Sequence, residues 1–275
     1  SGNAELAEGN IDFRGDIVIH GNVESGVNIR ATGSITIDGV AEACMLEAGK
    51  DIILRGGMLG GNKASVKTKG AITAKFFEFT NILCEGDLQA DVLMDCSVIC
   101  HGQIRLTGRK GSIIGGKVQA IRGLIATSLG NDAEKRTEIF VGAGIDVYSR
   151  LRVMEKKIET TREELAKIEE GLEKFEILSK ERGVSYTNDP RRTSLLRIKI
   201  KDSAMLASDE EEVRKLRILA ESSKGACVSV IQEIYPGVII NMDELKLALK
   251  NMATGVEFYK LPDKIGTRPC SAGVE

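Results

Sequence analysis

Two histidines and six cysteines are the side chains of this 275-residue chain best suited to catalysis or metal binding. His20 and His101 each precede a glycine. Acyltransferases built on β-helices use a histidine as general base at a subunit boundary. Neither histidine has an obvious carboxylate in the neighbouring sequence to orient it. We therefore interpret both as structural surface residues and predict no catalytic residue.

One group of side chains has the types that Zn²⁺ prefers: Cys84, Cys96, Cys100 and His101. Their spacing argues against a metal site. Cys84 and Cys100 each lie two residues before a repeated glycine, at a position where other repeats have small side chains: Ala31, Ala48 and Thr68. We interpret the thiols as small buried hydrophobic groups and predict neither a metal nor a cofactor.

Two further patterns are weak signals of chemistry. Asp87, Asp91 and Asp95 resemble the acidic sets of β-helix polysaccharide lyases, but the chain has 40 acidic residues, so spaced carboxylates are common. Residues 111–117 nearly match a phosphate-binding loop, but Val118 lacks the hydroxyl that binds Mg²⁺. We predict no nucleotide site. A β-helix enzyme acting on carbohydrate or acyl substrates is the alternative to a non-enzymatic protein.

The charge, the cysteine spacing and the apolar segments of the chain indicate in which compartment it works and which partners it does not attract. The 38 basic and 40 acidic residues give a net charge of -2, so there is no general attraction for nucleic acid. The cysteines lack the paired spacing of a secreted disulfide framework, which favours a reducing compartment. No segment approaches the roughly 18 apolar residues of a membrane span. We expect a cytoplasmic protein without a membrane span.

A repeat of glycine, any residue and an aliphatic residue runs through the first half of the chain at intervals of 16 to 20 residues, with Lys50 replacing one glycine. The second residue after each anchor is always aliphatic: Ile17, Ile35, Ile52, Ile72, Leu88, Ile104 and Ile125. The fourth residue is mostly apolar: Ile19, Ile37, Leu54, Ala74, Ala90, Leu106 and Thr127. Alternation with period two indicates strands, and units this short fit turns of a solenoid. We predict a mainly β protein with a parallel β-helix over residues 1–145.

From Asp146 the apolar period changes to about 3.5 residues, which is typical of a coiled coil. One helix is predicted over about 147–182, and a second over about 192–223 with these seam residues: Leu195, Ile198, Met205, Val213, Leu216 and Leu219. We predict a long antiparallel helical hairpin inserted at 146–224, with pairing between chains left open. Its tip is a candidate partner contact or only a mobile turn, and the contact residues would be Tyr186, Asn188, Arg191 and Arg192.

After Gly225 the strand pattern returns at 227–235, 238–240 and 256–259. The simplest topology has residues 225–275 complete the same β-helix and end in a tail.

Five short motifs are similar to those of the bacterial flagellar assembly protein A family: residues 56–61, 115–120, 129–130, 137–142 and 234–238. In that family a C-terminal part combines a β-helix with a coiled coil in a cytoplasmic protein. The resemblance covers most of the chain, while the family's N-terminal domain looks absent, in keeping with a first residue that is not methionine. It implies a role in flagellar assembly or cell-envelope organisation.

These expectations combine into one functional prediction. A well-specified frame without a convergent catalytic set suits a scaffold that acts through protein partners. We further expect a homo-oligomer, with a dimer favoured.

Overall fold

The computed structural model describes residues 9–270, apart from the side chains of Ile145 and Asp146. The chain forms two compact units. One contains the residues up to 144 and from 222 onward, and the other contains residues 145–221.

The first unit is a parallel β-solenoid of about seven turns, as predicted. Its strands before the helical unit are β1 (Ile11–Phe13), β2 (Ile17–Ile19), β3 (Asn28–Ala31), β4 (Ile35–Ile37), β5 (Ala41–Glu42), β6 (Met45–Ala48), β7 (Ile52–Leu54), β8 (Met58–Thr68), β9 (Ile72–Ala74), β10 (Phe76–Cys84), β11 (Leu88–Gln89), β12 (Val92–Met94), β13 (Ser97–Cys100), β14 (Ile104–Leu106), β15 (Ser112–Ile114), β16 (Gly116–Ala120), β17 (Leu124–Leu129) and β18 (Thr137–Val141). The strands after it are β19 (Cys227–Ile234), β20 (Val238–Met242), β21 (Leu245–Ala248), β22 (Ala253–Lys260) and β23 (Ile265–Pro269).

Parallel pairing arranges these strands in three faces. Face A stacks β2, β4, β7, β9, β11, β14, β17 and β19. Face B stacks β1, β3, β6, β8, β10, β13, β16, β18 and β20. Face C stacks β5, β12 and β15 with the remaining parts of β8, β10, β17 and β19. The chain therefore passes through all three faces in each turn.

The predicted aliphatic column lies on the inner side of face A. Register pairs its members from turn to turn: Ile17, Ile35, Ile52, Ile72, Leu88 and Ile104. All are fully buried except Ile17, which is partly buried in the first turn. Burying one such side chain contributes roughly 1.5 to 3 kcal/mol, so the column is a main source of stability. The predicted register is confirmed over these six turns.

The prediction is wrong by one residue in the next turn. Leu124, not Ile125, pairs with Ile104, and Ala126, not Thr127, pairs with Leu106. The cause is that Arg122 occupies the anchor position: its N–H donates to the Gly102 carbonyl at 3.1 Å, as the Gly102 N–H donates to Gly86 at 3.0 Å. Gly123 lies one residue later with a φ of +114°.

Successive turns approach each other closely at the glycine anchors. A Cβ atom added at Gly102 would lie 2.3 Å from the Gly86 carbonyl oxygen, so a larger residue would push the turns apart. Three aspartates next to anchors accept a backbone N–H from the following turn: Asp16 from Ser34, Asp51 from Ala71 and Asp87 from Gln103, at 2.7 to 2.8 Å. These carboxylates thus fix the register of successive turns.

The second unit is an antiparallel helical hairpin of α1 (Gly144–Arg182) and α2 (Pro190–Ser222). The Asp189 carboxylate caps α2 by accepting the Arg191 N–H at 2.7 Å, and Pro190 occupies the first helical position. Ion pairs join the helices along their length: Glu155 with Arg217, Arg162 with Glu210 and Glu169 with Lys199. The predicted hairpin is confirmed.

The predicted seam of α2 is partly wrong. Its less exposed residues recur in steps of four and three: Leu195, Lys199, Asp202, Leu206, Asp209, Val213, Leu216 and Ala220. Ile198 and Met205, expected in the seam, are 45% and 38% exposed. The register tolerates charged seam positions because Asp209 lies 2.7 Å from the Lys157 ammonium, which offsets the cost of burying the carboxylate.

The strands after the hairpin continue the stack, since β19 pairs in parallel with β17, and β20 with β18. The final strands do not continue as a parallel solenoid. β21 pairs antiparallel with β20, β22 with β19, and β23 with β22. This end therefore differs from the simplest predicted topology, because short hairpins cover the last parallel edges.

A charge placed in the aliphatic column should unfold the solenoid. We expect Ile72→Asp to abolish the cooperative thermal transition, because an unpaired buried carboxylate costs at least about 2–3 kcal/mol and Ile72 packs in register between Ile52 and Leu88. The control is Arg105→Asp on the outer side of face A, where the side chain is exposed. Circular dichroism melting of both variants is the measurement. Native-like melting of Ile72→Asp would contradict the stack.

Candidate functional site

The four predicted contact residues lie together at the tip of the hairpin. Tyr186 is half-buried, and its ring lies 6.1 Å from that of Phe175, so it also packs against α1. Asn188 is exposed, and the Arg191 side chain is 85% exposed. Arg192 is half-buried in the first turn of α2. The tip thus presents polar and basic groups on a short capped connection.

His20 does have a carboxylate partner, contrary to the sequence interpretation. Its Nδ1 atom lies 2.8 Å from Asp38 Oδ2, and Asp38 Oδ1 lies 3.5 Å from Arg55 Nε. The neighbouring sequence does not reveal Asp38, because it lies 18 residues after His20. Comparing position 20 with the residue one solenoid turn later would have found it. The imidazole is 67% exposed, and none of these three residues lines either of the two surface cavities described below.

The four residues considered above as zinc ligands, Cys84, Cys96, Cys100 and His101, do not form one cluster. Cys84 and Cys100 stack in the inward column of face B, between Thr68 and Ala120, as predicted. Their thiols donate to the carbonyls of Gly70 and Gly86 at 3.3 and 3.2 Å. Within residues 9–270, no group of three or more histidine, cysteine or acidic residues has the arrangement needed to hold a metal ion.

Burial also suppresses the reactivity of the thiols. All six cysteines are free, and the first four are buried. Desolvation raises the pKa of Cys44 to about 12 and that of Cys96 to about 11. The hydrogen bond with Cys84, together with burial, raises the pKa of Cys100. Because the nucleophile is the thiolate, the raised pKa values lower the reactivity of Cys44, Cys96 and Cys100. The hydrogen bond with Cys100 lowers the pKa of Cys84, and burial is what separates that thiol from solvent.

The acidic trio does not form a cluster. Asp87 lies 2.5 Å from Arg122, Asp91 accepts the backbone N–H of Gly111 at 2.9 Å, and Asp95 pairs with Lys135. Each carboxylate thus has its own partner and holds a turn in place. The region resembling a phosphate-binding loop forms strands β15 and β16, and residues 118–120 lie in a strand, as predicted.

A polar network on the antiparallel strands was not predicted from the sequence. Glu257 is only 7% exposed, accepts the Ser229 hydroxyl at 3.0 Å, and accepts Arg268 Nε at 2.6 Å. The guanidinium offsets the charge of the buried carboxylate. The network joins β19, β22 and β23.

Two shallow cavities mark the outer surface of the solenoid. The larger, about 490 Å³, lies where faces B and C meet, and three non-glycine residues on its wall have positive φ: Asn62, Phe79 and Asp95. Its charges have both signs, with Arg136 Nε donating to Glu138 at 2.7 Å. The smaller, about 380 Å³, lies on the first turns of face B beside the Arg30–Glu47 ion pair. Neither lining brings a nucleophile together with a base.

Together these observations define a parallel β-solenoid with an inserted helical hairpin. The family model described as Flagellar Assembly Protein A beta solenoid domain matches residues 1–265. The chain therefore belongs to this flagellar assembly family. Comparison with curated proteins and with solved structures found no match. Neither helix of the described region has the apolar length needed to cross a membrane.

Thiol reactivity tests the placement of the cysteines. With a disulfide reagent at about pH 8, we expect only Cys227 and Cys270, both half-buried, to react in the native protein. The other four should react only after denaturation, because their side chains are buried and the reagent cannot reach them. The Cys227→Ala/Cys270→Ala variant is the control and should show no rapid reaction. Rapid labelling of a third thiol, or stoichiometric zinc by elemental analysis, would contradict this placement.

Proposed function

We propose that the protein is a non-enzymatic scaffold of flagellar assembly or of the associated cell envelope, and that it works in the bacterial cytoplasm through protein contacts. The family membership supports the flagellar role. One structural observation favours a scaffold: the cysteines, the acidic trio and the buried Ser229–Glu257 pair are each engaged in holding turns or strands together. The hydrogen bonds of these side chains therefore stabilise the solenoid.

The repeating architecture supports this proposal. Each turn contacts only its neighbours, so the stack provides a stiff surface whose length depends on the number of turns. Stiffness favours binding because little conformational entropy is lost when a partner is held. We further propose that the protein forms a homo-oligomer, with the dimer favoured.

The hairpin tip is the proposed partner contact. Asn188 and Arg191 offer exposed hydrogen-bond donors, and the Asp189 cap fixes the start of α2 beside them. Arginine is enriched at protein interfaces because its planar head forms several hydrogen bonds at once. Tyr186 and Arg192 would form the partly buried base of this contact.

Removal of the hairpin tests the scaffold proposal. We expect that replacing residues 146–224 by a flexible linker leaves a folded solenoid, because β19 and β20 pair with β17 and β18 inside the same unit. Flagellation of the source cell should nevertheless be lost. The measurements are circular dichroism of the variant and motility of a strain that carries it.

A double substitution tests the hairpin tip independently of the rest of the hairpin. Asn188→Ala/Arg191→Glu should lower motility while leaving helix content unchanged, whereas the matched change Arg105→Glu on face A should have little effect. Full motility of the strain lacking the hairpin would show that the hairpin is dispensable and would refute this form of the proposal.

One observation favours the alternative of an enzyme acting on carbohydrate or acyl substrates. The Asp38 carboxylate at 2.8 Å is placed to orient the His20 imidazole, as in a general base. An enzyme using this pair should lose its cellular function in both His20→Ala and His20→Gln. The scaffold proposal predicts that both variants keep full motility and differ from the parent by less than about 1 kcal/mol in stability, as expected for an exposed pair.

A further inference from the structure

The larger cavity on the outer surface of the solenoid is a groove with a loop at each end. At one end, residues 60–63 of β8 lie opposite the single residue Phe79, so the extra residues form a loop. At the other end, residues 130–136 connect β17 to β18. The corners of the three turns between these loops are only one or two residues long. The groove, which we call the corner groove, is therefore about 19 Å long, or four strand spacings of about 4.8 Å.

Phe79 occupies a corner position that is unfavourable for a large side chain. The register of β10, β12 and β15 aligns Phe79, Asp95 and Gly115 at this position, and their φ values are +47°, +50° and +72°. Glycine adopts this conformation freely, whereas a bulky residue is strained in it. Such strain clusters at ligand sites. Phe79 is only partly buried and lines the corner groove, so an aromatic side chain is kept at the groove where glycine would fold more easily.

The floor of the corner groove carries polar groups that can bind a ligand. Asn81, Ser97 and Lys117 lie in register on the outer side of face B in consecutive turns, and all three are exposed. Asn62 adds a second carboxamide from the loop at one end. Within residues 9–270, the side chains of Asn62, Asn81 and Ser97 form no hydrogen bond with the protein. Carboxamides and hydroxyls both donate and accept, so they match a ligand that does the same.

One cation of the corner groove is not neutralised. The other charged side chains of the lining form ion pairs: Arg136 with Glu138, and Asp95 with Lys135. The Lys117 ammonium lies 4.5 Å from the centroid of the Phe140 ring, and no carboxylate of the described chain pairs with it. A single free positive charge suits a ligand that presents one carboxylate, and it suits a multiply charged phosphate less well.

We propose that the corner groove binds an acidic saccharide without transforming it. The C–H face of a sugar ring packs on the Phe79 ring, its hydroxyls exchange hydrogen bonds with the two carboxamides and Ser97, and its carboxylate pairs with Lys117. Phe79 and Lys117 are two turns apart, about 10 Å along the stack, and a disaccharide is long enough to contact both.

The shape of the corner groove supports the same class of ligand. Its volume of about 490 Å³ lies within the range of about 300–1,000 Å³ that ligand sites occupy. The loops at both ends limit the length of the occupant, which disfavours a peptide that continues in both directions. This binding function is additional to the scaffold role and does not depend on it.

Titration calorimetry with matched disaccharides tests the ligand. Cellobiouronate and maltobiouronate carry one carboxylate on β-linked and α-linked rings, and cellobiose and maltose are their neutral counterparts. The acidic member of at least one pair should bind about fivefold more tightly than the neutral member, because of the charge at Lys117. Lys117→Gln should remove this preference. The control Lys75→Gln, at an exposed lysine outside the corner groove, should retain it.

Phe79→Gly separates binding from folding. Glycine relieves the left-handed strain and so offsets the lost contacts of a partly buried ring; the variant should melt within a few degrees of the parent chain. Its affinity for the acidic disaccharide should nevertheless fall about tenfold, because the aromatic wall is gone. Asn81→Asp, which keeps the size of the side chain, should also weaken binding, because two carboxylates then repel each other. Circular dichroism melting and calorimetry of both variants are the measurements.

Absence of binding by both acidic disaccharides at about 10 mM, or an unchanged preference in Lys117→Gln, would overturn the proposal. Tighter binding of cellobiose 6′-phosphate than of cellobiouronate would contradict the assignment of a carboxylate ligand. A Phe79→Gly protein that binds like the parent chain would show that the strained ring has no part in the site. None of these outcomes bears on the scaffold proposal, which depends on motility of the strain lacking the hairpin.

Discussion

The close approach of successive turns at the anchor position is the constraint on which the rest of the solenoid depends. There the backbone of one turn donates a hydrogen bond to the carbonyl of the turn before it. Little space remains for a side chain at the glycine anchors, whereas Lys50 and Arg122 make the same hydrogen bond with a side chain in place. Once this contact is fixed, strand alternation determines which side chains point inward. This alternation explains the aliphatic column of face A and the small inward residues of face B. The same contact places the aspartates beside the anchors, where they accept a backbone N–H from the following turn.

The same constraint explains how the chain accepts a long insertion. Two turns need only be in register with each other, so the hairpin can leave after β18 as long as β19 returns to pair with β17. The final antiparallel strands have a different purpose. An exposed parallel edge would attract further strands, and covering it with hairpins ends the stack.

Much of this arrangement could be predicted from the sequence, because both apolar periods are strong: the period of two residues in the strands and that of about 3.5 residues in the helices. Prediction failed where a local signal competed with a long-range one. Gly123 looked like an anchor, but the backbone hydrogen bond selects Arg122. Ile198 looked like a seam residue, but ion pairing keeps Lys199 and Asp209 in the seam instead. The His20–Asp38 pair appears only when residues one turn apart are compared. The Ser229–Glu257–Arg268 network depends on antiparallel pairing, which the repeat does not encode.

The strands before and after the hairpin are expected to form one cooperative frame, because β19 and β20 pair with β17 and β18. Native-state hydrogen exchange tests it most directly, because amides that open together exchange with the same free energy. We predict that β19 exchanges with the same protection as β16, β17 and β18, and that this protection persists under conditions in which the hairpin amides already exchange. Loss of protection in β19 together with the hairpin, while β16 to β18 remain protected, would contradict a single frame.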